Sequence, residues 1–394
     1  MASKKTARSE APADGVVQAL KARYPGKVFR GGEYTMPWMM RRLPTGVIGL
    51  DCALHGGLPA GGLSVIRGPE GVGKNWLANQ VIANQQRLHG AACTVAVINT
   101  EMVYDKLFAR ACGIQVALSA EELEYYCRAY HEGTGEDPPA EVLEELQHEV
   151  GTFLTTPPLN AEDAFDLAID IIKQRVFNVV VIDSFGSLLV EEEEDKSFNE
   201  EARVGGTAKL NTQFARKLNS AMAPDSDGRP NLTCIVGLNQ MRDNMSRANK
   251  YSPLTQEGGG RALKHSRWVT VDLVPAGKLR VPGKSADKIE AGAVIGKVVR
   301  WTIEKQKAGG HEGAAGTYDY VWARTGIDRC KEAVRAAEEC GVFKRAGTWF
   351  SYGQERVGQG LAAATEWLRA GGPDLLAEVE GEILRAAGVH CNYT

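Results

Sequence analysis

The chain has 394 residues, 43% of them hydrophobic, and carries 46 Lys and Arg against 49 Asp and Glu for a formal net charge of −3. That length allows a large core and two or three domains, while the near balance of charge excludes a globally basic nucleic-acid binder and restricts any such site to a local patch. No apolar run approaches membrane-spanning length, residues 1–12 form a polar start without a signal-peptide core, and eight cysteines show no C-x-x-C pair. The expectation is a cytoplasmic protein with reduced thiols and no membrane partner.

In chain order, residues 1–13 read as an unstructured tail, and Val16 to Tyr24 has the spacing of a short helix ended by Pro25-Gly26. Residues 1–42 therefore form an N-terminal appendage. From about Leu43 strands alternate with helices, which predicts an α/β core over 43–325 with a mostly parallel sheet covered on both faces. The strands are 63–66, 94–99, 179–182 and 233–238, all too continuously apolar to be half exposed. A helix runs from Trp76 to Leu88, and another carries Leu210, Phe214, Leu218 and Met222; both stripes face the core. Between them, the Glu-rich stretch 117–151, broken at 133–139, reads as two helices inserted into the core, with a solvated acidic face. After Gly326 the alternation stops. A helix over 328–340, an aromatic hairpin at 349–352 and a helix near 362–368 predict a small α+β domain over 326–394.

The chemistry begins at Gly68-Pro69-Glu70-Gly71-Val72-Gly73-Lys74-Asn75, which joins an apolar strand to a helix. Glycines let backbone N–H groups wrap phosphates, and Lys74 adds a point charge for the outer ones. The last position is unusual. Such loops end in Ser or Thr, whose hydroxyl binds Mg²⁺, whereas Asn75 offers an amide carbonyl, longer and differently aimed.

Two acidic strand ends accompany the loop. Asp183 closes the run 179–182, where a Mg²⁺-organising carboxylate belongs, and Glu101 follows the strand 94–99, where it can polarise water. Each alone reads equally as a helix cap. Gln240, after the strand ending at Leu238-Asn239, can hydrogen-bond a terminal phosphate and relay its loss to the next loop. That loop, 241–260, carries Arg242, Arg247, Lys250 and the glycines 258–260, a basic and flexible composition that suits a nucleic-acid backbone or a plain surface loop.

Several stretches together are distinctive: Pro44-Thr45-Gly46, Gly56-Gly57-Leu58-Pro59, the phosphate loop, Glu101 with Asp105, and Val181-Ile182-Asp183-Ser184. Later come Asn239-Gln240, Gly259-Gly260 with Ala262-Leu263-Lys264, Lys305-Gln306-Lys307, and the run Ala346 to Tyr352 with Gly358-Gln359-Gly360 and Thr365-Glu366-Trp367-Leu368. Their order resembles bacterial RecA and its phage relatives, the strand-exchange recombinases, from about Gly15 to Ala387 apart from the acidic insertion.

The resemblance implies a RecA-like fold and a homo-oligomeric helical filament on single-stranded DNA, with ATP and Mg²⁺ held between subunits and the bound strand paired with homologous double-stranded DNA. It implies that Glu101 activates water, that Gln240 senses the terminal phosphate, and that Asp105 and Phe108 lie near the base. Lys264, Lys305 and Lys307 would reach the phosphates of a neighbour's ATP; two same-face strand charges facing water are the plainer reading of the last two. DNA contacts would come from Arg203, Lys209, Arg216, Arg242, Arg247, Lys250, Gly259, Gly260 and Arg261. The sequence also departs from the family at Asn75, at Val274-Pro275 where relatives carry arginines, at Ala323 where they carry an aromatic, and in lacking an acidic tail, which fits a divergent, phage-borne member. A filament protein that binds ATP with little hydrolysis, and a hexameric helicase or repair ATPase with the same core, remain open beside the recombinase.

Overall fold

The structure, a computed structural model, describes residues 14–101, 103–185, 206–243, 255–257, 260–280, 292–322 and 326–389. After α1 (Asp14–Arg23) and a turn of helix, α2 (Pro37–Met40), the short pair β1 (Arg42–Leu43) and β2 (Leu58–Pro59) flanks α3 (Ile48–Ala53). The central sheet then collects β3 (Leu63–Gly68), β4 (Thr94–Asn99), β5 (Thr152–Thr155), β6 (Val179–Asp183), β7 (Cys234–Asp243), β8 (Thr255–Glu257), β9 (Arg267–Arg280), β10 (Val294–Gln306) and β11 (Ala315–Val321). Its order is β11-β10-β9-β3-β7-β6-β4-β5, with β8 paired to β7.

Neighbours from β9 across to β5 run parallel. Alternate residues serve opposite faces: Val95, Val97 and Val181 pack with α4 (Lys74–His89), while Ala96, Ile98, Val180 and Ile182 pack with α8 (Ala161–Gln174) and α9 (Gly206–Ala221). Burial on both faces is why these strands read as unbroken apolar runs.

The expected alternation of strand and helix ends earlier than residue 326. β9, β10 and β11 form an antiparallel extension. Only one face of β10 is well covered: Val299, Trp301 and Ile303 are buried, whereas their neighbours Arg300 and Glu304 are exposed. The stretch 117–151 holds α6 (Ala120–Thr134) and α7 (Ala140–Leu146). Among them, α6 starts in a Ser119–Glu122 capping box, and Lys106 of α5 (Lys106–Ala111) reaches Glu122 at 2.8 Å to tie it to the core.

Beyond α10 (Gly260–Ser266) and β11, the C-terminal part pairs β12 (Phe343–Ala346), β13 (Trp349–Tyr352) and β14 (Glu355–Gln359) in a 3-stranded antiparallel sheet. The aromatic stretch at 349–352 is thus a middle strand flanked by two partners. It packs with α11 (Arg329–Glu339), α12 (Gly360–Ala370) and α13 (Gly372–Ala386) around Phe343, Phe350, Leu368 and Ile383, a core that also takes in Ile48 of α3. No helix among the described residues is long and apolar enough to cross a membrane.

Candidate nucleotide site and nucleic-acid face

β3 ends at Gly68, lodged so close to β9 that a Cβ there would stand 2.3 Å from the Leu273 carbonyl oxygen. The chain then turns through Gly73 at φ 111°, a conformation that side-chain-bearing residues resist, and enters α4 at Lys74. The loop 68–75 therefore sits on a helix N-terminus, with free amides and the positive end of the dipole facing any bound anion. Lys74 is 7% exposed and its ammonium donates to the carbonyls of Gly68 at 3.0 Å and Pro69 at 2.9 Å. Burial lowers its pKa, against the pull of Asp183, Glu101 and Glu70. Pro69, Glu70, Gly71 and Val72 complete the turn, Val72 anchoring it in the core.

Asn75 and Asp183 meet. The Asn75 amide nitrogen donates to Asp183 Oδ2 at 2.7 Å, so its carbonyl points away from that carboxylate. Burial, then the charge of Glu101, raises the Asp183 pKa to about 6. Among the described residues no cluster of three or more His, Cys, Asp or Glu side chains could hold a metal. Mg²⁺ bound to nucleotide phosphates needs only one or two protein oxygens, and a carboxylate pressed upward by burial and a like charge fits a cation.

Glu101 is exposed but not loose. Ser184 Oγ donates to its Oε1 at 2.6 Å, and Gln240 Nε2 approaches both carboxylate oxygens at 3.2 and 3.3 Å. Thr100 stitches the two strand ends together: its amide donates to Asp183 O at 2.7 Å, and Ser184 N donates to its hydroxyl at 2.8 Å. Gln240 lies opposite Gly68 in the β3–β7 register. Thus Glu101, the loop 68–75 and strand β7, which runs on to the pairing of 241–243 with 255–257, share one edge of the sheet. Ser184 is a site residue to which the sequence assigned no role; its adjacency to Asp183 in a strand-end motif was the available signal.

Asp105 caps α5, accepting from Phe108 N at 2.8 Å, and Phe108 packs against the core beneath. Lys264, Lys305 and Lys307 gather elsewhere. Lys305 lies opposite Thr270, which pairs with Val65 of β3, about 10 Å before Gly68 at ~3.3 Å per residue. The ammoniums face away from the loop: Lys305 donates to the Lys264 carbonyl, Lys307 to that of His265 at 2.6 Å. Partial burial, then Lys307 and Arg267, lower the Lys305 pKa against the pull of Glu312 and Glu304.

Of the residues expected to contact DNA, Lys209 and Arg216 lie on the exposed side of α9, two turns apart on one stripe, with Phe214 and Leu218 buried opposite. Arg242, Gly260 and Arg261 fall within β7 and α10. Arg203, Arg247, Lys250 and Gly259, like Ala323, lie outside the described residues. Val274 and Pro275 are exposed on β9.

Comparison with known proteins matches a RecA N-terminal domain to residues 17–121 and 139–308 and a RecA C-terminal domain to residues 332–388. The unmatched segment falls on α6. The chain is 31% identical over 365 residues to Protein RecA of a Thermus thermophilus strain, covering 92% of this chain and 90% of that protein. It is 28% identical over 365 residues to Protein RecA of Heliobacterium modesticaldum, covering 92% and 88%. Among solved structures, that of the RadB recombinase aligns with a TM-score of 0.42 and 18% identity over 72% of this chain and 98% of that one.

Proposed function

The chain belongs to the RecA family, and from that premise we propose that it is an ATP-dependent recombinase, which assembles head to tail on single-stranded DNA and pairs the bound strand with a homologous duplex. What carries the reading is the split of the site: one protomer holds phosphate loop, Asp183 and Glu101, while Lys305 and Lys307 stand too far down the sheet to reach that loop. A second copy completes it.

In this reading the loop amides and Lys74 seat the triphosphate, and Asp183 would hold Mg²⁺, joined by Asn75 only if its hydrogen bond to that carboxylate breaks; the ion would shield phosphate charge. Glu101, fixed by Ser184 and Gln240, orients water for in-line attack and takes its proton. Asp105 and Phe108 border the base. Lys264, Lys305 and Lys307 from the neighbour stabilise charge on the transferred phosphoryl group, so hydrolysis depends on assembly. Gln240 exchanges its Glu101 contact for the terminal phosphate and so links nucleotide state to the segment following β7. Lys209 and Arg216, with Arg203, Arg242, Arg247, Lys250 and Arg261 and the backbone at Gly259 and Gly260, bind phosphates along the filament axis and leave base pairing to read sequence. The free thiols among the described residues fit a reducing cytoplasm.

The test is ATPase activity with and without single-stranded DNA, together with electron micrographs. Stimulated turnover and helical filaments are expected; closed rings, or a monomer indifferent to oligonucleotides, would refute the reading. A second reading has its own support in the Asn75–Asp183 hydrogen bond, which partly satisfies the metal carboxylate without metal. Tight ATP binding without turnover would establish a filament that uses nucleotide only as an assembly switch.

A pH dependence follows from Asp183. Its raised pKa, about 6, means that protons compete with Mg²⁺ at milder acidity than for an ordinary carboxylate. Apparent Mg²⁺ affinity should be flat above pH 7 and fall about tenfold per pH unit well below 6, because the protonated acid cannot ligate. Titration of Mg²⁺ into the ATP complex at stepped pH measures it; Asp183→Asn should lower the affinity and flatten the profile.

A further inference from the structure

Lys297 of β10 donates its ammonium to the Gly71 carbonyl in the phosphate loop. Strand register sets it directly opposite Lys278 on β9 and Tyr320 on β11. Directly opposed residues of antiparallel strands share a face, so two lysines stand side by side there. The position is also braced. The ammonium lies 5.4 Å from the centroid of the Tyr320 ring, which meets Trp76 of α4 at 5.5 Å. Below the loop, Tyr318 is fully buried with its hydroxyl unpartnered, 3.9 Å from where a Cβ on Gly73 would stand. Burial lowers the pKa of Lys297 as it does that of Lys74, so two partly desolvated ammoniums rest on carbonyls of one short loop.

The metal side of the site supplies the need. With its amide nitrogen turned to Asp183, Asn75 cannot aim its oxygen at the same ion unless that 2.7 Å bond breaks. We propose that Lys297 is a second same-protomer cation for the nucleotide phosphates, which trades the Gly71 carbonyl for a phosphate oxygen on binding and makes good part of the neutralisation that Asn75 withholds from Mg²⁺. The inference rests on the reading of 68–75 as a nucleoside triphosphate site. Trading a carbonyl for an anionic oxygen strengthens the ammonium's hydrogen bond, and Tyr320 keeps the stem in place while it moves.

The test is calorimetric titration of full-length wild type, Lys297→Met, Lys297→Arg and Lys74→Ala with ATP, once in Mg²⁺ and once in EDTA. Lys297→Met should bind ATP about tenfold more weakly or worse, as for loss of a charge-assisted bond, with the larger loss in EDTA, and Lys297→Arg should restore most of it. Equal affinities for wild type and Lys297→Met in both conditions, while Lys74→Ala loses binding, would overturn the assignment and leave the nucleotide site standing. A loss of one size in both conditions that arginine does not rescue marks a purely structural lysine and overturns it too. If wild type ignores ATP, or Lys74→Ala binds it unchanged, the nucleotide reading itself has failed.

Discussion

Glu101→Gln should lower DNA-stimulated hydrolysis by about 10²–10⁴-fold, the range for loss of a positioned general base, while nucleotide binding and filament assembly persist or lengthen in time. The substitution keeps shape and an oxygen for the Ser184 hydroxyl, which now reaches the carboxylate at 2.6 Å, but removes the basic group. A second readout is built in. Because the Glu101 charge helps raise the Asp183 pKa, the variant should shift the pH profile of Mg²⁺ affinity toward more acidic values. Unchanged turnover would remove Glu101 from the reaction, and an unmoved pH profile would deny its coupling to Asp183.

Replacing Lys305 and Lys307 together by alanine should cost about 10²–10³-fold in turnover, the scale of losing preorganised charge at a transferring group, with ATP binding by the isolated protomer intact. The decisive measurement mixes this double variant with Glu101→Gln. Each is inactive alone, yet where a double-variant protomer contributes Glu101 and its neighbour contributes the lysines, the site is whole. With head-to-tail contacts in an equal mixture, about a quarter of junctions should be active. No recovery on mixing would place the lysines in the same protomer's chemistry or outside it, contrary to their distance from the loop.

The sequence made the sheet's centre legible because β3, β4, β6 and β7 are buried on both faces and bounded by turn residues. The antiparallel extension was missed although Val299, Trp301 and Ile303 alternate with polar neighbours: that pattern is local, and the β9–β10 pairing joins segments separated by a long connection. α8 and α13 were also passed over, though α8 opens with Asn160 accepting from Asp163 N, a capping signal. At the site, the placement of Asp183 and Glu101 at neighbouring strand ends could be read because it follows from where the apolar runs stop. What could not be read is which groups would touch. Nothing near Asn75 announces that it donates to Asp183, and nothing near Lys297 announces a reach of more than two hundred residues back to Gly71. Those contacts are made by the folded sheet, in which sequence distance carries no information.

In the proposed filament, a protomer with its loop on one edge and its lysines on the other gives a linear array two unlike ends. One terminus would show an open cradle that can swap spent nucleotide for fresh; the opposite terminus would show lysines with no neighbouring cradle to enter, its own cradle already roofed by the adjoining copy. Every internal cradle must wait for a junction to part before it recharges. Growth and decay should then proceed at different speeds at the two termini, giving the assembly a direction along the strand that no DNA sequence has to supply.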